Sequence, residues 1–305
     1  MAGSLVGGTF AQAEDRTPLP ETYEALALAL PVVVTDPNKG PTFGLLPVVV
    51  LQESARITNI FAPDITFNAV DGVGGVFRML RYFSSDSALL IDAGSSSEGY
   101  QEYNAVYDQR RIGPNKLLYY QAHFMYRTDL SERFYGLGNE TEAEDESTYV
   151  FRRTLGEAKL GLELPFDLAV EFREQVASYK IGPGHLDDVE STKSAYEDVN
   201  GVDGRVTILN HQIRLIYDSR DSRNAPTEGA FGEFIYDVSD SSLGSDVGFQ
   251  RFRLSLTLLF PLFDARFVTV ARVAGWLMTG SGIPFYEQTQ LGGRTTIRGY
   301  GQGRF

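Results

Sequence analysis

A chain of 305 residues has room for two ordinary domains or for one large barrel, so length leaves the architecture open. Its formal net charge of −13 excludes a nucleic-acid backbone as partner, because phosphate binding needs clustered Lys and Arg that this chain lacks. The absence of cysteine excludes a disulfide scaffold and a thiolate metal site, while 16 Tyr, 20 Phe and 31 Gly suit an all-β protein of strands and tight turns.

Residues 1–10 are small and apolar, and Ala11-Gln12-Ala13 ahead of Glu14-Asp15-Arg16 fits a signal-peptidase site. The expectation is that residues 1–29 are a signal-peptide remnant with a short N-terminal segment, and that residues 30–305 are the structural domain. No run reaches the ~18 apolar residues of a membrane-spanning helix, since the longest, Ala25 to Val34, is broken by Pro31. A barrel that crosses a membrane with strands carries a weaker signal and is not excluded by this.

Residues 22–30 are compatible with a short helix or with the approach to a first strand. Leu30-Pro31-Val32-Val33-Val34 and the near copy Leu46-Pro47-Val48-Val49-Val50 flank Asp36-Pro37-Asn38-Lys39-Gly40, which reads as a hairpin. Residues 57–93 look extended but alternate poorly, and Gly72-Val73-Gly74-Gly75 reads as a turn or strand kink, lacking the context of a nucleotide fingerprint.

From Tyr100 onward the two-residue period dominates. Leu118, Tyr120, Ala122, Phe124 and Tyr126 oppose Gln121, His123 and Arg127; Leu160, Leu162 and Leu164 oppose Lys159 and Glu163; Leu168, Val170 and Phe172 oppose Glu171, Arg173 and Gln175. In residues 249–263, Phe252, Leu254, Leu256, Leu258, Phe260 and Leu262 alternate with Arg251, Arg253, Ser255 and Thr257. These are long strands with one apolar and one polar face. Strands of about 9–11 residues suit a tilted crossing of a bilayer, whereas soluble strands are about 5–6 residues long. Alternation by itself leaves a membrane barrel and a soluble sandwich both open. Aromatics near strand ends (Tyr119, Tyr120, Tyr126, Phe249, Phe260, Phe263, Phe267) suggest interfacial girdles. Short turns at 113–115, 165–167 and 261–264 alternate with long links at 128–148 and 181–204, the asymmetry of an outer-membrane barrel.

No catalytic constellation stands out. His123, His185 and His211 lack ligand spacing, so no metal site and no cofactor are expected, and the acidic links around 140–146 and 187–203 read as solvated loops. Residues 290–305 hold five glycines and three arginines in a stretch without period, which reads as a long functional loop or a flexible tail.

Three segments in order resemble the bacterial surface antigen family, the BamA/TamA-type superfamily of outer-membrane assembly and translocation barrels: Phe134-Tyr135-Gly136-Leu137-Gly138-Asn139-Glu140-Thr141; Tyr217, Asp218, Arg220 and Asp221 leading to Pro226, Thr227 and Gly229; and Ile297-Arg298-Gly299-Tyr300. The resemblance runs from about residue 30 to the end. It implies an all-β, antiparallel transmembrane β-barrel of 16 strands, of which about 11–13 are countable here with the last strands missing. It also implies soluble POTRA domains ahead of the barrel, and in a departure from that pattern residues 1–29 leave no room for one, so none is expected. It further implies that Ile297, Arg298, Gly299 and Tyr300 tip a loop folded back into the lumen, where the Arg298 fork pairs with wall carboxylates. The function implied is non-catalytic assembly, insertion or translocation of proteins in the outer membrane of a Gram-negative-type bacterium, or alternatively a passive or structural pore. Partners would be outer-membrane lipid and unfolded outer-membrane protein clients, with no nucleic acid.

Overall fold

The computed structural model describes residues 23–36, 38–54, 56–138, 140–263 and 266–291. Among the described residues fourteen strands make one antiparallel sheet whose order follows the sequence, with one departure near its start. β1 (Tyr23–Asp36) and β2 (Gly40–Glu53) are the expected hairpin, paired from Tyr23 with Glu53 to Asp36 with Gly40. Residues 23–30, ambiguous in sequence, are therefore strand. β3 (Arg56–Phe61) and β4 (Asp64–Asn68) share one row between β2 and β5 (Gly72–Tyr82), so the 14 strands fill thirteen rows, in keeping with the expected 11–13. β6 (Ser87–Ser96), β7 (Gln101–Ile112), β8 (Leu118–Phe134), β9 (Ser147–Leu164) and β10 (Leu168–Pro183) follow. β11 (Val206–Asp218), β12 (Gly229–Ser239), β13 (Phe249–Leu262) and β14 (Phe267–Gly280) complete the order, and β1 and β14 are its two edges among the described residues.

The face each row presents decides between sandwich and barrel. Phe124 (51% exposed), Leu160 (52%), Phe172 (52%) and Leu254 (61%) all lie on the outer surface, with no second sheet over them. Their charged neighbours Glu171, Asp237 and Asp129 are buried on the opposite face. Side chains two strands apart meet on that buried face, as Tyr119 of β8 with Glu171 of β10 and Arg173 of β10 with Asp237 of β12. The sheet is thus concave around a polar interior and apolar outside, which water disfavours and hydrocarbon favours. A soluble sandwich has the opposite arrangement.

The outward rows of residues 118–126, 156–164, 168–176 and 209–217 are each nine residues long and apolar or small, broken at Glu174 and His211. At one rim they end in exposed aromatics, Phe166, Phe260, Phe263 and Phe267. Two expected girdle residues face the other way: Phe249 is buried with its ring beside Arg251, and the Tyr119 hydroxyl donates to Glu171 inside. Both are in step with the charged rows of their strands, which places them on the interior.

That aromatic rim carries the short turns at 113–117, 165–167 and 263–266; the opposite rim carries the links 135–146, 184–205 and 240–248 and the chain after β14. The long links are shorter than the sequence suggested, because β8 and β9 run on past the apolar rows on either side of the first and β10 runs on to Pro183 before the second. Among the described residues no helix is long and apolar enough to cross a membrane, which says nothing of strands.

Candidate functional site: the interior wall and the root of its loop

The motif after β11 builds a rigid turn on the short-turn rim. Tyr217 faces outward at the end of its row, and Asp218 closes the strand by holding Arg220 with two bonds, Nε to Oδ1 at 2.6 Å and Nη2 to Oδ2 at 2.8 Å. The same guanidinium lies 4.6 Å from the Phe231 ring centroid, so its planar fork serves one acid and one aromatic at once. Asp221 accepts from the Thr227 amide (2.9 Å), the Thr227 hydroxyl (2.6 Å) and the Glu228 amide (3.3 Å), which closes the ten-residue link over Pro226. Gly229 has φ +106°, and a Cβ there would collide with the Ser219 carbonyl, so glycine is the residue this return to the strand demands.

The three donors, the Thr227 hydroxyl foremost, hold the Asp221 carboxyl down at about 2 from an ordinary 3.8. A depressed carboxyl stabilises the turn fully above the ordinary value and loses that stabilisation as pH falls through about 2. Carboxyl-resolved NMR is expected to place the Asp221 midpoint near 2 and to move it back toward 3.8 in Thr227→Val. A midpoint near 3.8 in the unmodified chain refutes the turn geometry.

Inside, the wall is laced by two networks. One crosses from β8 to β13: Tyr119 Oη donates to Glu171 Oε1 (2.8 Å), Arg214 spans Glu171 (2.9 Å) and Glu233 (2.7 Å), and the Ser255 hydroxyl donates to Glu233 (3.1 Å). The other centres on Asp237, which is fully buried. Its carboxylate receives Arg253 Nη2 (2.9 Å), Arg251 Nε (3.3 Å), Arg173 Nη2 (3.4 Å) and the Gln212 amide. Four strands, β10 to β13, converge on this one group. Nothing in the sequence singled it out, because its partners come from positions up to 64 residues away.

The Asp237 network reaches the loop that follows β14. Arg251 Nη1 donates to the Glu287 carbonyl (3.3 Å) and carboxylate (3.4 Å). Next to Glu287, Phe285 is 1% exposed and forms the centre of a cluster with Phe134, Tyr149, Phe151, Ile181 and Val202. Its ring centroid lies 4.4 Å from that of Phe134 and 5.2 Å from that of Tyr149, and its amide donates to the Asn200 carbonyl at 3.0 Å. Gly201, at φ +91°, lets the 184–205 link lie flat on this loop, since a Cβ there would stand 2.7 Å from Pro284 and 2.9 Å from Tyr286. The described start of the terminal loop therefore turns in over the interior at the long-loop rim.

Ile297, Arg298, Gly299 and Tyr300 lie outside the described residues. The two sequence motifs start from opposite rims, with Asp218 to Gly229 at the short turns and the root of the loop at the long links. Phe134, the first residue of the Phe134–Thr141 segment that carries part of the family resemblance, is part of the cluster that receives the loop root.

Comparison with known proteins agrees with this architecture. The Omp85 superfamily domain matches residues 93–305, well over half of the chain. No curated protein sequence matches it. Among solved structures, the crystal structure of BamA from Haemophilus ducreyi lacking POTRA domains 1-3 is similar with a TM-score of 0.57 at 14% identity, covering 90% of this chain and 51% of that one. At that identity the likeness is one of fold, and this chain spans about half the length of the solved structure it matches. With its apolar-out, polar-in antiparallel wall, its strand-turn motif and an inward loop root, the chain belongs to the Omp85 superfamily of outer-membrane β-barrels.

Proposed function

We propose that this chain is the barrel part of an integral outer-membrane protein that assembles, inserts or translocates other proteins without covalent catalysis. The observation that carries the reading is the anchored loop root: Phe285 and Glu287 fix the described start of the chain after β14 over the polar interior, joined to the wall through Arg251 and Asp237. A passive pore gains nothing from an aromatic cluster built on the wall at one mouth, whereas a barrel that handles clients needs a wall whose interior loop root keeps one position while the wall moves. The short-turn rim faces the periplasm on this reading, and the long links face outward. Bilayer lipid contacts the apolar rows, and unfolded outer-membrane protein chains are the clients.

The interior charges support a positioning role for them, because the acids and arginines of both networks engage one another. Arg298, which the family resemblance assigns to the tip of that loop, carries the client-dependent work on this reading. In the full-length protein in its own membrane, Arg298→Ala is expected to lower the rate of client assembly at least tenfold while the barrel stays inserted and detergent-resistant. Client assembly at the original rate, with conductance as the sole property altered, overturns the reading in favour of a passive pore.

A further inference from the structure

One feature of the outer surface fits neither the lipid-facing rows nor the interior networks. Glu174 of β10 and His211 of β11 are direct cross-strand partners on the apolar face, His211 Nδ1 donating to Glu174 Oε2 at 2.5 Å. The Glu174 side chain is 62% exposed, and it stands between Phe172 and Val176, which are themselves exposed by about half. Ile213 and Leu209 occupy the equivalent places beside His211 on β11. The Nε2 of His211 is itself buried and has no hydrogen-bond partner among the described residues, so Glu174 is the member of the pair that the surface presents. An ionisable pair held in hydrocarbon is costly, and such groups mark contacts or pathways.

The neighbourhood favours a contact between proteins over simple solvation by lipid. On the β9 side of Glu174, a groove of about 610 Å³ is floored by Ala105, Ala122, Gly156 and Ala158. Small residues let backbones approach closely within a membrane, and a polar pair beside them supplies the directional bond that apolar surfaces there lack. The position is also remote from both edges of the sheet, with β7 to β12 all continuously paired around it. Strand pairing at an edge is therefore not the contact in question.

The geometry points to a second copy of this chain as the occupant. Glu174 and His211 are adjacent and complementary, an acid beside a base. A two-fold axis along the membrane normal and between the two strands sets Glu174 of each copy against His211 of the other, the isologous arrangement that a closed dimer requires. A partner with an unrelated surface has no reason to match both members of the pair. This inference rests on the lipid-facing assignment of the outer rows and is independent of any client.

The chain has no cysteine, so a single Phe172→Cys label beside the pair is free of background. The full chain carrying it, reconstituted in phosphatidylethanolamine/phosphatidylglycerol vesicles at high lipid excess, is expected to yield a cross-linked dimer with a short bis-maleimide. Adding Glu174→Leu and His211→Leu, both compatible with a lipid-facing surface, is expected to lower the dimer fraction at least tenfold with strand content unchanged by circular dichroism. The exchanged variant, Glu174→His with His211→Glu, keeps the complementarity and is expected to restore it. A monomer in the unmodified pair, a dimer undiminished by the two leucines, or failure of the exchange each overturns the proposal. Loss of client assembly in Arg298→Ala has no bearing on these bands, so the two proposals fail separately.

Discussion

Replacing Asp237 by Leu is expected to destabilise the barrel by about 3–5 kcal/mol, the cost of stripping a buried charge cluster of one member. Asp237 is the only fully buried acid of its network, and it faces Arg173, Arg251 and Arg253 together. With it gone, three guanidiniums remain in one region of the interior, held by Glu157 and Glu287 at 3.4 Å each on the periphery. Leucine supplies volume and no acceptor, so the loss is one of charge compensation and hydrogen bonding, not of packing. Arg253→Met in the Asp237→Leu background removes one of the stranded cations and is expected to recover part of the loss, which identifies the repulsion as its source. Urea-driven unfolding from lipid vesicles measures both; a loss below about 1 kcal/mol, or no recovery in the double variant, means that water in the interior screens the cluster.

Phe285→Ala carries a similar expected cost by a different route. Removing a fully packed aromatic ring costs about 3–5 kcal/mol, as transfer of the ring and the cavity it leaves. Phe285 also loses its aromatic contacts with Phe134, Tyr149 and Tyr286. The effect is expected to be local, because Phe285 packs its ring on side chains of β8, β9 and β10 while its backbone takes no part in their pairing. Amide exchange at position 285, which donates to Asn200, should accelerate by about 10²–10³, while amides of β9 and β10 keep their protection. Uniform acceleration across the wall means that the cluster supports the barrel as a whole, and no acceleration means that the loop root is held by Arg251 and Glu287 alone.

The strands were most legible where one residue type dominates each face. β8, β9, β10 and β13 show this, with Leu and Phe stepping against Arg, Glu and Lys. β1 defeats the same test because Ala and Leu fill both of its faces, and residues 57–93 defeat it for a geometric reason. The register shifts between Leu51 and Gln52, and the row is interrupted between β3 and β4, so the period slips before it can be counted. The turn motif could be read from Asp221, Pro226, Thr227 and Gly229, since its bonds are local. Asp237 and Phe285 could not, because what makes them matter is register across four strands and the approach of a loop 85 residues beyond its partner Asn200. Phe249 shows that a parity check was available: it steps with Arg251 and Arg253, which face the interior.

The uniform height of the outward rows has a further consequence. Nine residues at about 3.3 Å each, inclined by about 45°, lift a side-chain band of roughly 21 Å. A hydrocarbon layer thicker than this must thin around the wall or leave its upper polar residues in oil, so acyl length itself becomes a selector. The protein will enter thin bilayers readily and resist thick ones, and hydrophobic mismatch thereby sorts it among membranes before any binding partner is met.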